Sequence, residues 1–276
     1  MKKIVTIIIV LFFMFIPSAY GIQKIDIHKD IISKNQNEHT VFVEYATTTW
    51  CSQCPDASKA LYELYDSSQY PFFYVSLVSD VNPNAKIRTK DYQTVAIPTI
   101  YVDGGRSLFV GNSGSYQEIK DTYQEMILEN TNQAVEQDIS IETKGQWLDD
   151  AQIKIDVTIT NNDNTFFYGK IRTYVNEINS RWLDEQGNPY HHALLDFAFN
   201  ENIFLPKKSS KSFSTIWDGK EDHNGLTFED ITKDNIMILS SVFHWAPHIR
   251  LGYVGFPYLQ LFFAHYAYYV DGVTLT

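Results

Sequence analysis

The stretch TTTWCSQCP, residues 47–55, holds both cysteines of a 276-residue chain, with two residues between them. Two different periodicities flank it. Upstream, TVFVEYA (40–46) is a short apolar run with one acid inside it, the pattern of a buried strand. Downstream, Ala57, Ala60, Leu61, Leu64 and Tyr65 recur at helical spacing, so Cys51 is expected at or just before a helix N-terminus. Further along, FFYVSLV (72–78) reads as a strand and NPNAKIRTKDYQ (82–93) as a short helix started by Asn82 or Asn84. IPTIYVD (97–103), the turn at Gly104 and Gly105, and SLFVG (107–111) read as a hairpin. Ser115 and Glu118 form a capping box that opens a closing helix. The expected order is β-α-β-α-β-β-α.

The cysteine pair admits three chemistries. As a staple it is weak: the chain-entropy account gives about 2 kcal/mol for so short a loop against about 4.7 kcal/mol for a loop of about a hundred residues. As a zinc site it would need His244 and His248, which lie far downstream around a proline with no local finger between them. As a redox dithiol it has what exchange requires. A helix N-terminus favours thiolate over thiol at Cys51, and Cys54 lies about one turn along, where a resolving thiol is needed. Trp50 would be a flat apolar neighbour at the rim, and Pro55 is tolerated in a first helical turn.

Three pieces together resemble the thioredoxin superfamily over residues 40 to about 130: Trp50-Cys51-Ser52-Gln53-Cys54, Ile97-Pro98-Thr99, and Gly111 after the last strand. The resemblance implies an α/β thioredoxin-like fold in which Cys51 attacks and Cys54 resolves. It also implies a cis peptide before Pro98, which faces the cysteines, and a substrate segment held by Trp50, Ile97, Pro98 and Thr99. It gives Glu44, on the strand before the cysteines, the role of relaying the resolving thiol's proton; a buried carboxyl there would have a raised pKa. The match is imperfect, because the turn is one residue longer and the acid is Glu. The alternative is an acid at a strand edge that reaches solvent.

The N-terminus opens MKK, continues with a mostly apolar run to Ile16 and ends in small residues at Gly21, the pattern of a secretory signal peptide over residues 1–21. Location outside the cytoplasm is therefore expected, with an uncleaved N-terminal anchor as the other outcome. The net charge of −11 excludes a basic nucleic-acid footprint. Aromatic content of 15%, with 18 Tyr and 18 Phe, supplies a sizeable core.

After about residue 133 the texture changes. Ile153, Ile155, Val157 and Ile159 alternate with polar residues, and further strands are expected at 166–178, 212–217, 236–244 and 266–275. The expected domains are thus a thioredoxin-like unit over 22–133 and an all-β sandwich, similar to immunoglobulin or fibronectin modules, over 134–276. GNPYHHALLDFAFN (187–200) is the odd segment, with His191, His192 and Asp196 in an aromatic setting. It reads as a turn followed by a buried strand or helix. Tyr266, Tyr268 and Tyr269 are expected to pack the sandwich.

The leading expectation is an extracytoplasmic thiol:disulfide oxidoreductase acting on protein thiols or disulfides, with no bound cofactor, no metal, and a redox partner to regenerate it. The alternative is a surface binding or adhesion protein in which the fold is a non-catalytic scaffold and the disulfide is idle.

Overall fold

The structure, a computed structural model, describes residues 39–111, 114–133, 136–255 and 258–275; the expected signal peptide lies outside them. Residues 41–131 form the expected order: β1 (Val41–Thr47), α1 (Cys54–Asp66), β2 (Phe72–Val78), α2 (Pro83–Asp91), β3 (Thr99–Val102), β4 (Ser107–Val110) and α3 (Tyr116–Thr131). β1 and β2 are parallel, with Val41 opposite Phe72, and β3 returns antiparallel on the other edge of β1. All fourteen residues of β1 and β2 are buried, which is why their apolar runs do not alternate. One face of β1 to β3 is covered by α1 and α3, through Leu61, Leu64, Tyr123 and Ile127 against Val43, Tyr45 and Tyr74. The capping box at Ser115 and Glu118 forms as the sequence indicates.

The remaining strands are β5 (Ile139–Asp149), β6 (Gln152–Asn161), β7 (Phe167–Leu183), β8 (Pro189–Leu205), β9 (Ser209–Asp218), β10 (Ile236–His244), β11 (His248–Gly255), β12 (Tyr258–Ala264) and β13 (Ala267–Thr274). β5, β6 and β9 form a three-stranded sheet, and β6 carries the alternation legible in its sequence: Ile153, Ile155, Val157 and Ile159 are fully buried, while the residues between them are half-buried. This sheet packs onto β7, β8, β10 and β13 through Ile171, Val175, Leu195, Ile238 and Tyr268.

The expected division into an α/β thioredoxin-like domain and a separate all-β sandwich is not what the chain forms. Strand makes up 50% of the described residues and helix 18%. Moreover, the strands of both halves belong to one eight-stranded mixed sheet, in the order β13-β10-β7-β8-β2-β1-β3-β4. The physical reason lies in the outer edge of β2. A wholly buried strand cannot leave its N–H and C=O groups unpartnered, and hydrophobic pattern reveals which faces are apolar, not which edges pair. β8 supplies the partner: it runs parallel to β2 with Ala193 opposite Ser76, and the Ser76 hydroxyl donates to the His191 carbonyl at 2.8 Å.

Asn82 extends the seam. Its Oδ1 accepts from the Asn84 and Ala85 N–H groups and caps α2, while its Nδ2 donates to the carbonyls of Leu194 and Leu195. On the face of β1 and β2 away from α1, Phe42, Phe73 and Val75 pack with Tyr174, Leu194, Leu239 and Val270, so the halves share a core as well as a sheet. A further tie sits at the β3–β4 turn. Asp103 accepts from the Phe42 N–H through its carboxylate, and its backbone carbonyl accepts from Ala267 N–H. Gly104 follows at φ +71, where an added Cβ would lie 1.9 Å from the His265 carbonyl oxygen, so only glycine fits. Among the described residues no helix is long and apolar enough to cross a membrane.

Asn82→Asp keeps the acceptor that caps α2 but removes both donations to β8. It is expected to lower stability by about 1–3 kcal/mol. Asn82→Ala also loses the cap and should lose about 0.5–2 kcal/mol more. Urea midpoints of the two variants check this, and an unchanged Asn82→Asp midpoint would remove the amide from the seam.

Candidate functional site

The cysteine turn leaves the C-terminal end of β1 and enters α1. Cys51 and Cys54 are joined by a disulfide, with their Cα atoms 5.4 Å apart. The helix proper begins at Cys54, so Cys51 stands just outside it. Pro55 fills the first turn, where its missing N–H is no loss, and Cys54 N–H donates to the Cys51 carbonyl at 3.2 Å. Cys54 is fully buried and Cys51 is 5% exposed, whereas Trp50 beside it is 68% exposed. Of the two sulfur-bearing residues only Cys51 reaches solvent, next in sequence to the exposed indole.

The turn is held at its root by groups that come from elsewhere in the chain. Tyr190, on β8, accepts from the Thr47 hydroxyl at 2.9 Å and donates to the Thr48 carbonyl at 2.9 Å. Asp80 accepts from both the N–H and the hydroxyl of Thr49. Tyr45 donates its hydroxyl to the Cys54 carbonyl at 3.0 Å, and burial pushes that phenol well above its ordinary range.

Ile97, Pro98 and Thr99 come to the same end of the sheet. The register that sets Thr99 opposite Ala46 carries the two preceding residues toward the end of β1 from which the turn departs. The Ile97–Pro98 peptide is cis, and the Pro98 carbonyl accepts from Gly111 N–H at 2.7 Å. Ile97 is half-buried and Pro98 and Thr99 are buried; the Thr99 hydroxyl donates to Ala96 O within its own loop. Trp50, Cys51, Cys54, Ile97 and Pro98 thus gather at one end of the sheet, while Thr99 is turned into the fold.

Glu44 does not join them. Successive strand side chains alternate, and it is Tyr45 that faces α1. Glu44 points to the other face, fully buried, where it meets Arg88 of α2 in a two-pronged pair: Nε to Oε1 at 2.7 Å and Nη2 to Oε2 at 2.6 Å. Tyr92 donates to Oε2 at 2.5 Å and Tyr174 to Oε1 at 2.9 Å. Burial alone would raise the Glu44 carboxyl, but the charge and hydrogen bonds of Arg88, with help from Arg172 and the Tyr92 hydroxyl, outweigh it and hold the acid below its ordinary value. The expected relay to Cys54, with a raised pKa, is therefore corrected. The extra residue in the turn shifts the strand by one, and the position facing the helix is a phenol.

The other residues singled out in the sequence do not form a reactive set. His191 stacks on Tyr62 at 3.7 Å between ring centroids, and burial lowers its pKa. His192 lies edge-on to Tyr65 and Tyr74. Asp196 accepts from Trp217 Nε1 at 3.0 Å and pairs with His223 at 2.7 Å. His244 and His248 stack separately on Tyr268 and Tyr266, and among the described residues no group of three His, Cys, Asp or Glu is arranged to hold a metal. Within the segment 187–200 it is Tyr190, between Pro189 and His191, that reaches the turn, and no motif in the sequence marks it.

No family model matches this chain, and no curated protein does. Among solved structures it is similar to HBP35 of Porphyromonas gingivalis, with a TM-score of 0.58 and 14% identity over 86% of this chain and 76% of that one. A protein from Agrobacterium tumefaciens matches at a TM-score of 0.47 and 14% identity, over 87% and 96% of the two chains. The first likeness shows a shared fold and spans both halves. The expected kinship with the thioredoxin superfamily is overturned: the neighbour whose fold this chain shares is HBP35, and the described residues are mainly β. The descriptions thioredoxin-like and oxidoreductase fall with it; what persists at the site is the Cys51–Cys54 pair.

The ion pair beneath β1 makes a pH prediction. With Glu44 held below its ordinary 4.5, its stabilisation is complete above that pH and is lost as pH falls through the lower folded value. Unfolding free energy should therefore drop below pH 4.5 more steeply for the protein than for Glu44→Gln. At neutral pH, Arg88→Met should lose about 3–5 kcal/mol by stranding a buried carboxylate, and pairing it with Glu44→Leu should recover much of that loss. Denaturant titrations across pH check both; parallel pH curves would remove the pair from the account.

Proposed function

We propose that this chain is an extracytoplasmic binding protein whose fold serves as a non-catalytic scaffold. Its contact surface centres on Trp50 and the disulfide-closed turn, and its partner is another protein. The observation that carries the reading is the position of Glu44. The acid that a dithiol enzyme would use to move the resolving thiol's proton lies on the wrong face of β1, locked in a pair with Arg88. The group that does face α1, Tyr45, is a phenol whose pKa is pushed far above neutrality by burial. An indole 68% exposed beside a rigid, multiply anchored turn is the chemistry of a contact residue, because indole supplies large area at low entropic cost. The expected signal peptide supports the location, and the continuous sheet supports a rigid scaffold.

A second reading is favoured by one observation of its own. The disulfide ties the first residue of α1 to Cys51 just outside it, with only Cys51 touching solvent, the asymmetry that dithiol exchange with protein thiols requires. Under this reading the reduced Cys51 thiolate attacks a disulfide of the partner and releases one of its sulfurs as a thiolate; Cys54 then resolves the mixed disulfide, which leaves the partner reduced and the Cys51–Cys54 bond closed.

Reduction of insulin by dithiothreitol separates the two. The scaffold reading expects no acceleration above the uncatalysed rate, and equilibration in a glutathione buffer that leaves the Cys51–Cys54 bond closed. Acceleration that disappears in Cys51→Ser, with a mixed disulfide trapped by Cys54→Ser, would replace it with the exchange reading.

A further inference from the structure

Away from the cysteine turn, a cavity of about 460 Å³ opens where α2, the start of β7 and the end of β10 converge, a volume suited to a small molecule. Its charge runs against the composition of the chain. In a protein of net charge −11, the lining carries Arg88, Lys170 and Arg172 against the single acid Asp91. Counting the buried Glu44 behind it, three cations face two carboxylates, which leaves one positive charge over.

The surplus can be assigned to atoms. Arg88 is committed to Glu44. Arg172, 6% exposed, reaches Asp91 through Nη2 at 3.2 Å, and its Nε is buried with no acceptor. The Lys170 backbone is paired within β7, but its ammonium makes no hydrogen bond or ion pair among the described residues. Burial first, and then the neighbouring Arg172, push its ammonium below the ordinary lysine value; burial and Arg88 do the same to Arg172. A site that disfavours its own cations is one that an incoming anion would relieve.

The walls are aromatic. Arg172 stands over the Phe243 ring at 4.6 Å, and Tyr168 and Trp245 lie side by side with centroids 6.1 Å apart. Trp245 is 53% exposed and Phe263, another lining residue, 49%. Rings left bare at the mouth of a cationic pocket offer stacking area to a flat ligand.

We propose that this pocket binds a small aromatic monocarboxylate, its carboxylate between Lys170 and Arg172 and its ring against Tyr168 and Trp245. One unit of surplus charge matches a monoanion, and the aromatic mouth selects a planar body over an aliphatic one. The site is independent of the cysteine turn.

Titration of the full chain with 2-naphthoate and with its neutral isostere 2-naphthamide, followed by calorimetry, tests it. Naphthoate is expected to bind once per chain, and the amide at least about tenfold more weakly. Lys170→Gln should weaken naphthoate by a similar factor, Trp245→Ala should weaken both ligands, and Asp91→Asn, which removes the competing acid, should tighten naphthoate. Equal affinity for acid and amide, an unchanged affinity in Lys170→Gln, or no naphthoate binding at millimolar concentration would overturn the proposal. The comparison of acid with amide uses the unaltered protein, so it decides even where a variant fails to fold.

Discussion

The outer edge of β2 is the constraint on which the rest of this structure depends. FFYVSLV is buried at every position, so the strand cannot end a sheet in solvent, and no element within residues 41–131 is left to cover it. β8 closes the edge in parallel, with Ser76, Asn82 and Asn84 supplying side-chain hydrogen bonds where the ladder is short. Once β8 is fixed there, its antiparallel partner β7, and then β10 and β13, continue the sheet. The three-stranded layer of β5, β6 and β9 finds its face on their far side. The turn that carries the cysteines inherits this arrangement, because Tyr190 descends to it from the same β8.

A second constraint works at right angles to the first. Between the two halves lies a carboxylate with no access to water, and burying an ion is costly unless it is paired and hydrogen-bonded. Arg88 from α2, Tyr92 just beyond that helix and Tyr174 from β7 meet that demand together, so one acid on β1 recruits both halves. The same cluster forms the inner wall of the cationic pocket, with Arg172 as the neighbour that has one donor left over.

Much of the fold was legible in the sequence, and the limits are instructive. The strand ahead of the cysteines, the helix after them, the capping box at Ser115 and the alternation of β6 all follow from local period and local hydrogen-bond chemistry. What local pattern does not carry is pairing. Residues 187–200 read only as something buried after a turn, yet from Pro189 onward they belong to β8, the strand on which the assembly turns, and nothing in their local pattern shows that the two halves share a sheet. At the site, the cysteines, Trp50 and the Pro98 loop are contiguous motifs and are therefore visible in local sequence. Glu44 was misplaced because a run buried on both faces hides which side chains look toward the helix, and a single residue of turn length decides it. Arg88, Asp80 and Tyr190 contribute at long sequence separation with no spacing signal to mark them.

The shared sheet also bears on how the polypeptide can be divided. A fragment ending near residue 133 would contain every element of the helical half, and by sequence it looks self-sufficient. It would nevertheless present Phe72–Val78 as a bare, flat, uncharged edge rich in aromatic and β-branched residues, the profile of a template for intermolecular β-pairing. During synthesis the same edge emerges well before residues 189–205 exist to cover it. The nascent protein therefore carries an adhesive strand for as long as β8 is unmade, and its folding is exposed to self-association over that interval.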